Sequence, residues 1–143
     1  MKKIVCIILA ILTIASVVYA QKKMAITTKD LAELKGTWEG VLTFGAFEGG
    51  GSAAKLEILN DTVPVRARLT IAQIPDQLAS GVGLMGGQNV FESQDGTITT
   101  QGTIMFIGQK PKNFFEVSRS GEKKLRAVYW FESLRGDASL AKK

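Results

Sequence analysis

The chain contains no histidine, one cysteine, at position 6, and three prolines in 143 residues. Without histidine there is no Ser-His-Asp or Cys-His catalysis and no histidine-ligated metal site. A lone cysteine builds neither a thiolate cluster nor an internal disulfide. Most familiar enzyme chemistry is excluded, and no cofactor is expected. Charge of one sign is also scarce, since 18 Lys+Arg against 13 Asp+Glu leave a formal charge of +5. That excess suits solubility and does not predict a nucleic-acid surface. Long apolar runs are limited to residues 4–18, which is 15 residues, short of the roughly 18 needed for a membrane-spanning helix.

What is present begins with that run. Met1, Lys2 and Lys3 precede it, and Val18-Tyr19-Ala20 supplies the small residue before a cut at Gln21. This is the pattern of a secretory signal peptide over residues 1–20. Cys6 lies within the apolar run and so is not placed to become a lipidated first residue. Cleavage would leave residues 21–143 as one domain with no cysteine, and loss of Lys2 and Lys3 would lower the charge from +5 to +3. The expected location is periplasmic or secreted, with no stable membrane span after processing. A disulfide-free chain in an oxidising compartment must hold its fold by packing and sheet hydrogen bonds.

Residues 28–34 carry a helix start, with Thr28 able to cap, Asp30 in the first turn, and Leu31 and Leu34 three apart. After Gly36 the period becomes two. Trp38, Gly40, Leu42, Phe44 and Ala46 alternate with Thr37, Glu39, Val41 and Thr43, which defines a strand with an inner face. Gly49-Gly50-Gly51-Ser52 breaks it, and a second strand with Leu56 and Ile58 inward ends at Asn60-Asp61. Alternation is clearest in the third strand, where Val65, Ala67, Leu69 and Ile71 oppose Arg66, Arg68 and Thr70, with Pro64 confined to its start. Residues 73–89 hold four of the glycines and predict the longest irregular segment.

A fourth strand over 90–93 leads to an Asp95-Gly96 hairpin signal, and 97–107 reads as a long fifth strand with Gly102 at a bend. Residues 114–118, 125–134 and 138–141 give the sixth to eighth strands, joined by turns at Ser120-Gly121 and Arg135-Gly136-Asp137. Short strands linked mostly by tight turns predict an all-β fold: a single antiparallel up-and-down barrel of about eight strands with a short N-terminal helix. Its expected interior comprises Leu42, Phe44, Leu56, Ile58, Ala67, Leu69, Ile71, Ile98, Ile104, Phe106, Phe115, Val117, Ala127, Tyr129 and Phe131. Eight strands enclose a space that side chains can fill or that holds one small ligand.

A short helix followed by Gly36-Thr37-Trp38 at the first strand of a small exported β chain resembles the G-x-W signature of lipocalin-like (calycin) barrels. Avidin-like barrels also open on G-T-W. The resemblance implies that Trp38 closes a barrel floor beside the helix. It also implies that an arginine from the last strands, Arg126 or Arg135, packs across the indole.

Other motifs read as structure. Gly81-Val82-Gly83-Leu84-Met85-Gly86 spells G-x-G-x-x-G but has loop before it and strand after it, so it is no nucleotide cradle. Arg135-Gly136-Asp137 and the sequon Asn60-Asp61-Thr62 are both expected as turns. Glu39, Glu57, Glu116 and Glu132 fall opposite apolar positions and are expected apart and solvated. Arg66, Arg68 and Arg126 form either an anion-binding stripe or an ordinary solvated face. Val128 and Trp130 make the outer face of the seventh strand apolar, to be covered by the N-terminal helix or by a second subunit.

These readings predict an exported, non-catalytic barrel that binds a small apolar or amphipathic molecule. Its lining would be Leu42, Phe44, Leu69, Ile71, Phe106, Phe115, Tyr129 and Phe131, with the Tyr129 hydroxyl as orienting contact and the 73–89 loop at the mouth. The alternative is a filled barrel acting as a structural or protein-binding module of the cell envelope, with an envelope protein as partner.

Overall fold

The computed structural model describes residues 24–45, 51–74, 76, 87–108, 113–131 and 134–143. The expected leader, Ala46, the G-x-G-x-x-G segment and Glu132 lie outside the described residues.

Eight antiparallel strands follow one another around a closed barrel: β1 (Gly36–Phe44), β2 (Gly51–Ile58), β3 (Val65–Ile74), β4 (Gly87–Ile98), β5 (Ile104–Ile107), β6 (Asn113–Gly121), β7 (Lys124–Phe131) and β8 (Leu134–Lys142). Closure comes from β1 pairing with β8, from Trp38 opposite Lys142 to Phe44 opposite Gly136. Each strand is amphipathic at period two, so one alternation fills the interior and the other faces water. Of the expected interior residues, all are buried except Ile98, which packs partly exposed against the core. The period also carries Phe91, Leu125, Leu134 and Leu140 inward.

The helical segment spans the expected residues 28–34, with its cap one residue earlier. Thr27, not Thr28, is its cap: the Thr27 N–H and hydroxyl donate to Asp30 Oδ2 at 2.7 and 2.6 Å. A 3-10 turn (Thr28–Asp30) then runs into α1 (Leu31–Leu34). Leu31 and Leu34 are buried in the barrel core together with Ile26, whose N–H donates to the Gly102 carbonyl at 2.7 Å. This segment therefore plugs the barrel at the end where β1 begins, and it does not lie over β7.

Three glycines change role. The Asp95-Gly96 hairpin is absent because β4 runs through it for 12 residues. Gly96 lies beside a bulge against Val65, where a Cβ would sit 2.5 Å from Phe106 Cε1 and 2.6 Å from the Val65 carbonyl oxygen. Here glycine grants close approach, and the chain reverses at 99–103 instead, with Gly102 in that turn and not at a mid-strand bend. Likewise Arg135-Gly136-Asp137 is extended strand in β8. Gly136 points inward, where a Cβ would meet Leu42 Cδ2 at 2.9 Å, and the reversal falls before Leu134.

Candidate functional site

The plugged end shows how the motif around Trp38 works. Its indole is buried, and Nε1 donates to the Leu34 carbonyl at 2.8 Å, which stitches β1 to the end of α1. The cation over the ring is Lys142 of β8, with Nζ 5.5 Å from the ring centroid and also donating to the Glu33 carbonyl. Arg126 and Arg135 are elsewhere, a correction to the expected stacking partner. Their positions on β7 and β8 alternate with inward Ala127 and Gly136, so they face out. Arg126 Nε bonds Asp137 Oδ1 at 2.6 Å, and Arg135 bonds Asp137 Oδ2 at 3.1 Å. An arginine does serve the floor, from β6: Arg119, with a side chain only 12% exposed, reaches Asp30 at 3.2 Å and Glu33 at 3.1 Å.

Burial would raise the Asp30 pKa, but hydrogen bonds from Thr27 and the charge of Arg119 outweigh it and hold the carboxyl below its usual value. For Asp137 the Arg126 hydrogen bond is the main cause of a similar lowering.

On the outer face of β7, Trp130 is covered by neighbours in the sheet. Phe114 stacks on it with centroids 6.0 Å apart, and the Arg135 guanidinium lies 5.0 Å from the ring centroid. The other cations are largely neutralised where they sit. Arg68 Nε bonds Glu92 at 2.6 Å, and Lys55 and Lys143 pair with Glu57 and Glu39 at 3.4 and 3.1 Å, so of the three arginines of the expected outer face Arg68 and Arg126 are each held by a carboxylate. Glu116 accepts from the Thr103 hydroxyl at 2.7 Å. The Asn60 side chain is spent on its turn, donating to the Pro64 carbonyl at 2.9 Å and accepting from the Arg66 N–H at 2.6 Å. A shallow outer groove of about 680 Å³ runs over β8, β1, β2 and β3, floored by Val41, Ala53, Ala72 and Ala141.

The interior is the remaining candidate. Leu42, Phe44, Leu69, Ile71, Phe106, Phe115, Tyr129 and Phe131 all lie on its inner face and are buried. Rings meet inside it: Phe91 and Tyr129 at 4.6 Å and 39°, Phe106 and Phe115 at 4.6 Å and 19°. Phe91 was not among the expected lining residues, although its alternation with exposed Val90 is readable at period two. Leu42, Leu69 and Tyr129 are at 0%, as are Val65 and Ile74 at the two ends of β3. Residual exposure of 6–9% appears at Phe91, Asn113, Phe131 and Leu134, toward the end away from α1.

Three buried polar side-chain atoms have no hydrogen-bond partner among the described residues: the Tyr129 hydroxyl and Asn113 Oδ1 in this apolar space, and Arg119 Nε at the plugged end. Burial alone pushes the Tyr129 phenol well above its ordinary pKa. Sequence pattern flagged Tyr129 but not Asn113, since an asparagine beside unassigned loop reads as turn.

Compared with protein-family models, with curated proteins and with solved structures, the chain has no significant match.

Proposed function

We propose that this chain is an exported lipocalin-like barrel that binds a small apolar or amphipathic molecule without chemistry, in the half of the lumen away from α1. The observation that carries the reading is the pair of unpartnered polar atoms, Tyr129 Oη and Asn113 Oδ1, one alternation apart on the inner face and away from the third such atom, Arg119 Nε at the plugged end. Each buried polar group without a partner costs about 1–3 kcal/mol, a cost that a bound molecule relieves. Phe91, tilted against Tyr129 and at the partly exposed end, is the side chain that turns aside to admit it. Affinity comes from burial of ligand hydrocarbon at about 25 cal/mol per Å². The N-terminal pattern of Lys2, Lys3, the apolar run and Ala20 supports export to the periplasm or the exterior, with cleavage before Gln21.

Native mass spectrometry on protein from the exported fraction tests this. A homogeneous extra mass released on denaturation, on a chain beginning at Gln21, is the expected result. A bare mass that stays bare after incubation with lipid extract overturns it.

The second reading is a filled barrel serving as an interaction module of the envelope. The internal ring contacts at 4.6 Å favour it, as does the external row of Phe114, Trp130 and Arg135. It predicts a bare mass and a crosslinked envelope partner that is lost in Trp130→Ser.

A further inference from the structure

Resting on the reading that the lumen takes a small apolar molecule, the polar end of that molecule can be specified. Among the described residues the buried side chains are hydrocarbon or aromatic apart from Ser93, Asn113 and the phenol of Tyr129. Ser93 is already used, its hydroxyl donating to the Ile107 carbonyl at 2.8 Å. Asn113 Oδ1, an acceptor, and Tyr129 Oη, a donor or an acceptor, are left. Asn113 pairs with Phe131 and Tyr129 with Phe115. The two polar residues are therefore one alternation apart on adjacent strands and on the same inner face, with Cα atoms about 7–8 Å apart.

Charge chemistry then discriminates among ligands. Arg119 and Lys142 are held at the plugged end by Asp30, Glu33 and Trp38, while Arg126 and Arg135 are held outside by Asp137. A carboxylate or phosphate brought to Tyr129 and Asn113 would lose its hydration and meet no counter-charge supplied by those groups. An ether or ketone accepts from Tyr129 but leaves Asn113 Oδ1 without a donor. A hydroxyl does both and carries no charge.

We propose that the lumen selects a neutral alcohol, an apolar molecule ending in a hydroxyl that donates to Asn113 Oδ1 and accepts from the Tyr129 phenol. Burial keeps that phenol protonated, as a donor must be. Tyr129→Phe removes an atom that has no partner among the described residues, so it leaves the fold intact while removing the donor that an alcohol and an ether share.

The test is a calorimetric panel on the full exported chain, comparing linear 1-alkanols, their methyl ethers and the matching alkanoates. Chains span roughly six to twelve carbons, at about pH 8, where the acids are ionised. The alkanol is expected to bind at least about tenfold more tightly than the ether or the acid of equal length. Asn113→Leu, which removes the acceptor that only the alcohol can use, should bring alcohol and ether to within about twofold of one another, whereas Tyr129→Phe should weaken both by about threefold or more and leave their ratio unchanged. An alkanoate that binds as well as the alkanol overturns the proposal, as does an alcohol-over-ether preference that survives Asn113→Leu or an alkanol affinity unchanged by Tyr129→Phe, and each of these results leaves the lumen reading standing. No binding by any member retires the lumen reading and this proposal with it. If Asn113→Leu does not fold, the wild-type panel and Tyr129→Phe still decide.

Discussion

Tyr129 and Trp38 are both large, buried and polar at one atom, and they differ in whether that atom is satisfied. The Trp38 N–H has the Leu34 carbonyl at 2.8 Å. Trp38→Phe keeps most of the packing and strands that carbonyl, so urea unfolding should show a loss of about 1–3 kcal/mol. Trp38→Ala also leaves a cavity and should lose about 3–5 kcal/mol. Tyr129 has no such partner, and burial raises its pKa, so the fold favours the protonated phenol. The sign follows from linkage: stability is unaffected below the unfolded tyrosine value of about 10 and falls as pH rises above it. In a Tyr19→Phe background Tyr129 is the one tyrosine. Its phenolate absorbance should then be absent at about pH 11 and appear only together with the loss of circular dichroism.

Within single elements, the helix plug depends on Asp30, which caps the turn through Thr27 and faces Arg119. Its folded pKa is depressed, so its contribution is present above the unfolded value of about 4 and is lost as pH falls through the lower folded value. Asp137 adds a second loss in the same window. Asp30→Asn should flatten the acid limb of a melting-temperature profile below about pH 4. An unchanged limb would remove the carboxylate from the helix anchor. In β4, Gly96→Ala should destabilise by about 1–3 kcal/mol, because its Cβ lands on Phe106 and the Val65 carbonyl, whereas a hairpin glycine in that place would have tolerated it more easily.

Those elements also show what sequence can reveal. Period two identified the inner faces of β1, β3 and β7 directly, because one face of each is dry. Asp-Gly and Arg-Gly-Asp misled because a glycine needed for room inside a barrel looks the same as one needed for a turn, and only the strand facing it tells them apart. The cation over Trp38 was misplaced because a position on the last strands depends on barrel register, which Lys142 opposite Trp38 settles. Asn113 went unnoticed because its burial comes from neighbours distant in sequence.

At the scale of the whole molecule, pairing of β1 with β8 gives every described strand a neighbour on both sides. Deleting residues 134–143 would free the edges of β1 and β7, and size-exclusion chromatography should show such a chain as oligomers or aggregate while the full chain keeps a single peak. The closing pairs join residues about a hundred positions apart, which makes the last contact formed also the most remote. A chain made from its N-terminus presents β1 first and its true partner last. Throughout that interval the first strand is an open template, and the time it waits is set by the rate of delivery and not by its own folding. Slow, non-local closure of this kind belongs to the millisecond-to-second range. Until β8 arrives, the free edge of the first strand is the chain's point of exposure to wrong pairing, a hazard the finished barrel no longer carries.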